Sequence, residues 1–204
     1  MKLKCTLILL FATLLSFGQT SAEMRTDIET YQASENDKFG TLETTILTEE
    51  GFKEFKALDY YPINLKFRVE AKFVRTPNEK PFLMPTTTDR TPEYVKYAEA
   101  HFTIDGKALV LSLFQNTAGY DDPEYADYLF LPFTDLTSGD GSYGGGRFLD
   151  ARIPKEGNMT IILDFNKAYN PYCAYNSGYS CPIPPEENDL LVRVEAGIKD
   201  YGKH

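Results

Sequence analysis

Apolar positions recur with a period of two along much of the chain. Over residues 65–74, Leu65, Phe67, Val69, Ala71 and Phe73 alternate with Lys66, Arg68, Glu70 and Lys72. This is the signature of a strand with one buried face. Residues 94–105 repeat it, with Ala98, Ala100, Phe102 and Ile104 set against Glu99, His101, Thr103 and Asp105. Asp105-Gly106 then predicts a type I′ hairpin into residues 107–115. There Leu109, Leu111 and Leu113 face one way and Val110 and Phe114 the other, so both faces are expected to be covered. Residues 126–133 read as a further strand with apolar residues on both sides. Residues 147–153, 159–165 and 190–196 complete the set.

Helix signals are few. Residues 23–40 are polar with no clear period, and predict an extended or loosely helical lead-in. Residues 47–58 begin with a Thr48 N-cap and acidic residues, and place Phe52, Phe55 and Leu58 three apart. That predicts a short amphipathic helix interrupted by Gly51. Four prolines between positions 77 and 92 restrict that stretch to loop or edge strand. Residues 116–124 read as an acidic turn. Residues 166–188 are too rich in Pro, Asn and Gly for regular structure, and ordered loops of that length are usually functional. The expected fold is mainly β, a single-domain antiparallel β-barrel or sandwich with a short N-terminal helix.

Composition adds a compartment. Lys2 and Lys4 precede an apolar run over residues 7–17, followed by small residues at Ser16 and Gly18 or at Thr20 and Ala22. This is the layout of a cleaved signal peptide, too short to remain as a membrane span. The chain therefore divides into a signal peptide at 1–22 and one β-rich domain at 23–204, exported to the periplasm or secreted. Losing Lys2 and Lys4 takes the net charge from −9 to −11. That sign argues against a nucleic-acid partner, which needs a basic face. Cys5 leaves with the signal. Cys173 and Cys181 then remain, and in an oxidising compartment they predict a disulfide closing a small loop. Metal ligation would need more soft ligands than His101 and His204 offer.

The residues that bear chemistry gather late in the chain. The glycines at 139–146 lack the Lys-Ser/Thr and the helix of a phosphate loop. Asp135, Asp140 and Asp150 lack the regular alternation of a calcium loop. His101 has no nucleophile-elbow serine for a partner, since Ser138 and Ser142 lie in another context. No metal site and no cofactor are expected. What remains is a polar group of Asp135, Arg147, Asp150, Asp164, Asn166, Asn170, Glu187 and Asn188, with Tyr143 and Tyr169 among them. Two readings apply. Arg147 holds a ligand in a pocket where carboxylates act as acid and base, or the group is a buried network that pins the long loop.

These same residues carry a resemblance. A Phe133-x-Asp135-x-Thr137-Ser138-Gly139 lead is followed by Tyr143, Gly146, Arg147, Leu149 and Asp150. Next comes Asp164-Phe165-Asn166-x-Ala168-Tyr169-Asn170-Pro171-x-Cys173, and then Pro184-Pro185-x-Glu187-Asn188. The chain resembles the bacterial family catalogued as Domain of Unknown Function 1684. The resemblance implies no reaction, substrate or cofactor. Where that family typically reads Ala-Gly-Glu-Lys, this chain has Ala196-Gly197-Ile198-Lys199. The leading expectation is a ligand-binding or structural envelope protein with a loop site around Arg147, meeting a small molecule or an envelope component. The alternative is a hydrolase that uses Asp or Glu carboxylates with Arg147.

Overall fold

The computed structural model describes residues 19–119 and 123–202. Cys5, His204 and most of the expected signal segment lie outside them, as does part of the acidic turn. Two helices, α1 (Ser21–Gly40) and α2 (Glu49–Glu54), precede the sheet. The strands are β1 (Arg68–Arg75), β2 (Phe82–Leu83), β3 (Glu93–Ile104), β4 (Lys107–Asn116), β5 (Tyr128–Asp135), β6 (Arg147–Arg152), β7 (Thr160–Asp164) and β8 (Asp189–Leu190). Their order is β6-β5-β4-β3-β1-β7, with β2 added to β3 and β8 to β5. All pairings are antiparallel except β5–β8. The sheet curls into a half-barrel, so the mainly β expectation holds.

The hairpin forms where Asp105-Gly106 calls for it, with φ of 50° and 77° at those two residues. Both central positions of a type I′ turn need positive φ, which Asp tolerates and Gly favours. Alternation then decides the core. Phe73, Ala100, Phe102, Leu111, Leu131 and Leu149 turn into the curl with no more than slight exposure. Their neighbours Phe114, Phe130 and Phe148 turn outward into a second cluster with Met84 and Tyr94. β5 and the Leu111–Phe114 half of β4 are therefore covered on both faces, while Val110 stays exposed.

Four local expectations are corrected. Residues 23–40 lie within a twenty-residue helix. It is held at its start by a capping box, Thr20 with Glu23, and along its length by Ile28 and Phe39, both buried. Its inward stripe of Met24, Ile28, Tyr31, Glu35 and Phe39 has helical spacing, but polar members disguise it. The second helix ends at Glu54, short of Leu58. Leu65–Phe67 is a 3-10 turn capped by Asn64, so the strand starts at Arg68. Finally, of the last predicted strand at 190–196 only Leu190 lies in a ladder, within β8 beside β5. Beyond it Val192, Val194 and Ala196 are buried while Leu191 is exposed, so the side chains alternate as in a strand. Its carbonyls have another partner, described below.

That strap turns at Gly197, where φ is +74°. A Cβ there would lie 2.5 Å from the Phe165 carbonyl oxygen and 2.8 Å from that of Ala168. Gly197→Ala is expected to cost about 2–4 kcal/mol of stability, because left-handed strain adds to a backbone clash. Denaturant unfolding monitored by circular dichroism checks it, and a loss under about half a kcal/mol would show that the strap yields.

Candidate functional site

Arg147 lies at the start of β6 with none of its surface exposed. Its Nη1 donates to the carbonyls of Ala196 at 2.5 Å and Ile198 at 3.2 Å. Its Nη2 donates to the Val194 carbonyl at 2.9 Å and to Asp135 Oδ1 at 3.1 Å. Asp135 is equally enclosed, and its Oδ2 accepts the Val194 N–H at 2.6 Å. Burial lowers the Arg147 pKa from its ordinary value, and the Asp135 carboxylate opposes that shift. A guanidinium sealed in this way touches no ligand. The expected loop site around Arg147 is corrected to a structural node, and Arg147 leaves the hydrolase reading with it.

Most of the other candidates serve the same end. Asn188 is buried, donates to the carbonyls of Ser112 and Pro132, and accepts the Ser112 N–H at 2.7 Å. It bridges β4 and β5, which are in register at Phe114 and Phe130. Asn166 binds both backbone groups of Asn64 and, with Arg68, occupies Asp164. Asn170 donates to the Lys199 carbonyl and to the Tyr175 hydroxyl. Glu187 pairs with Lys96 at 3.3 Å. These five do not converge on one cavity; the four buried ones fasten loops to strands, as buried polar groups must, and Glu187 is exposed. His101 sits beside Glu99 at 3.0 Å.

Tyr143 packs against the cluster of Phe39, Ile46 and Tyr175. Burial raises its pKa, helped by Cys173. Cys173 and Cys181 lie together as unbridged thiols, so the expected disulfide is not shown in this structure. The Cys173 N–H donates to Cys181 Sγ at 3.0 Å. Burial pushes the Cys181 thiol up to about 12, and a protonated thiol is a poor partner for exchange.

Asp150 and Tyr169 behave differently, because they face an open cleft on the outer side of β6. Asp150 Oδ1 accepts the hydroxyls of Tyr128 at 2.7 Å and Tyr169 at 2.6 Å. On one side lies an aromatic trough of about 320 Å³, walled by Tyr94, Phe130, Phe148, Tyr172 and Tyr179. On the other lies a polar well of about 120 Å³, where Tyr31, Glu35 and Lys38 of α1 meet Asp150. Tyr169 and Tyr172 line both. A groove of about 290 Å³ continues past Tyr31 and Asp150 to Asp27 and Lys167. A wider depression of about 850 Å³ exists near Tyr61 and Arg193. Its charges are largely paired already, Lys66 with Asp105 and Arg193 with Asp140 and Glu195.

The cleft has perturbed chemistry. Burial pushes the Glu35 carboxyl above its ordinary 4.5, and nearby Asp150 adds to that while Lys38, 3.9 Å away, opposes it. The Tyr169 phenol is raised well above its ordinary value by burial, and by Tyr128 and Asp150. It therefore stays a hydrogen-bond donor at any physiological pH. Sequence reasoning found Asp150 and Tyr169 but missed Tyr31, Glu35, Lys38, Tyr94 and Phe148. The helical spacing of the first three was the available signal.

Comparison with known proteins supplies a family rather than an activity. The family model described as "Protein of unknown function (DUF1684)" matches residues 53–199. The chain belongs to the DUF1684 family. Its helix α1, and so one wall of the polar well, lies ahead of the matched residues. A similar solved structure is the solution NMR structure of an uncharacterized protein from Haloarcula marismortui. It shares 31% identity and a TM-score of 0.69, over 90% of this chain and 98% of that one. No curated protein matches the chain. Among the described residues no helix is long and apolar enough to cross a membrane.

Two outcomes follow for this DUF1684 member. Arg147→Leu leaves Asp135 buried without its cation and three carbonyls without a donor, so it is expected to cost about 3–5 kcal/mol. Urea unfolding measures this, and a loss below about 1 kcal/mol would mean that the node is redundant. Glu35 has a folded pKa raised above its unfolded one, so its protonation favours folding below pH 4.5 and its ionisation costs stability as pH rises. Glu35→Gln should therefore melt higher than the parent at pH 8 and about the same at pH 4. A melting difference that grows toward acid pH would contradict this sign.

Proposed function

We propose that this DUF1684 protein is exported and binds a ring-bearing small molecule in the cleft beside Asp150. One observation carries the binding reading: an aromatic trough shares Tyr169 and Tyr172 with the polar well of Asp150, a carboxylate that accepts two tyrosine hydroxyls. Both described hydrogen bonds to Asp150 fall on Oδ1, which leaves Oδ2 as the acceptor offered to a ligand. Flat rings stack on Tyr and Phe faces, and hydroxyl or ammonium groups donate to Asp150 and Glu35. Export is supported by the basic start, the apolar run at 7–17 and the small residues that follow.

Phenyl glycosides and aryl amines are the probes to use, with saturation-transfer NMR as the readout. Phe148→Ala should weaken whichever probe binds. Asp150→Asn should weaken it roughly 10- to 100-fold, the worth of a hydrogen bond to a charged group. Glu187→Gln, on a different surface, should change nothing. Binding that is indifferent to Phe148 and Asp150 would place the ligand elsewhere, and absence of binding across the panel would sink the reading.

A second reading is hydrolysis, now through Glu35 and Asp150. It is favoured by a desolvated carboxyl with a raised pKa facing a second carboxylate across a small well. Fluorogenic glycosides and esters separate the two readings. Turnover that disappears in both Glu35→Gln and Asp150→Asn would replace binding with catalysis.

A further inference from the structure

We propose that the ligand of the trough is an aromatic acid, seated with its carboxylate on Arg90 and its ring reaching toward the Asp150 end. The inference rests on the binding reading above and adds the polarity of the site. Ring contacts lay the trough out as a line across the outer face of the sheet. Tyr94 of β3 meets Phe130 of β5 at 5.8 Å, Phe130 meets Phe148 of β6 at 4.8 Å, and Phe148 meets Tyr169 at 5.9 Å. Since β3, β4, β5 and β6 are successive neighbours, that line crosses about 14 Å at the usual strand spacing.

The two ends differ in charge. At the β6 end Tyr169 is bonded to Asp150, with Glu35 close by. At the β3 end stands Arg90, four residues before Tyr94 and on the rim of the same trough. Its Nε donates to Ser180 Oγ at 3.2 Å and its Nη2 to the Ser180 carbonyl at 2.9 Å. Ser180 Oγ is itself bonded to Thr88 at 2.6 Å and to Thr86 at 3.0 Å. Backbone bonds from Thr87 to Cys181 and from Ile183 to Pro85 hold that loop against residues 85–87, just past β2.

Neutral oxygens alone therefore fix this guanidinium, and its Nη1 is in no described hydrogen bond. Among the described residues Arg90 forms no ion pair, whereas Arg68, Arg147, Arg152 and Arg193 each hold an aspartate. A cation so oriented, with N–H groups to spare, is suited to a carboxylate. Lys38 and Lys167 offer no rival site, being paired with Glu35 and Asp27. The carboxylates of Asp150 and Glu35 repel an anion from the far end, so the ligand has one favoured orientation. A hydroxyl or amino group on the ring then meets Asp150. A free α-ammonium would sit beside Arg90, so an acid without one is preferred.

The test is calorimetric titration of the full chain with para-hydroxyphenylpropionate, its primary amide and unsubstituted phenylpropionate. The acid should bind at least roughly 10-fold more tightly than the amide, as a hydrogen bond to a charged group provides. Arg90→Gln should weaken the acid roughly 10- to 100-fold and leave the amide unchanged, which also shows that the trough is intact. Arg90→Lys, which keeps the charge without the fork, should recover only part of the loss. Asp150→Asn should weaken the hydroxylated acid and spare phenylpropionate. Acid and amide binding equally, both lost in Phe148→Ala, would overturn the anion site and leave the trough reading standing. Acid binding indifferent to Arg90→Gln overturns it too, as does binding of phenyl glycosides or aryl amines but no acid. Silence from every ring-bearing probe overturns the binding reading itself, and this inference with it.

Discussion

Arg147 binds three carbonyls of a strap that has almost no ladder of its own. Residues 191–198 present alternating side chains to the core like a strand, yet the regular ladder stops at Leu190 and only single backbone contacts follow, from Val192 to Leu136 and from Gly197 and Ile198 to Tyr61 and Ala168. The guanidinium takes the place of a partner strand, with Asp135 supplying the countercharge. Burying such a cation is costly unless its donors and its charge are both met. Asp135 meets the charge and also holds the Val194 N–H, so one ion pair fixes the strap through both its donors and its acceptors. Gly197, Asn170 and the loop at 166–188 are then arranged around that fixed line.

Closing the curl in this way frees the other face of the sheet. Because β5 and β6 are apolar on both sides, Phe130 and Phe148 point away from the core and meet at 4.8 Å edge to face. The long loop folds back over them with Tyr169, Tyr172 and Tyr179. A surface that would otherwise be an exposed apolar patch becomes a trough with a polar end. The same loop thus has two duties, one toward Ile198 and Lys199 on the inside and one toward Asp150 on the outside.

Strands were legible because side-chain alternation is a local property. The hairpin at Asp105-Gly106 and the two-faced character of β4 and β5 follow from it directly. The long helix was not legible, since its buried stripe includes Glu35 and is anchored by a cap and by tertiary contacts rather than by amphipathicity. The last strand misled for a related reason. Its side chains obey the period of two, but pairing depends on a neighbour that no local pattern encodes. Of the polar residues grouped around Arg147, Asp135 is bonded to it, whereas Asn166, Asn170, Glu187 and Asn188 fasten other segments. Whether such a group faces solvent or the core depends on the packing of segments distant in sequence, and there Asp150 and Tyr169 part company with Asp135 and Asn188.

Arg147 also sets a timetable. Its acceptors at 194–198 are made some fifty residues after it, and until they arrive the buried Arg147–Asp135 pair lacks its three carbonyl partners. Closure of the half-barrel around Arg147 therefore draws on partners about fifty residues apart in the chain. A chain whose topology is dominated by such distant partners folds late and as a unit.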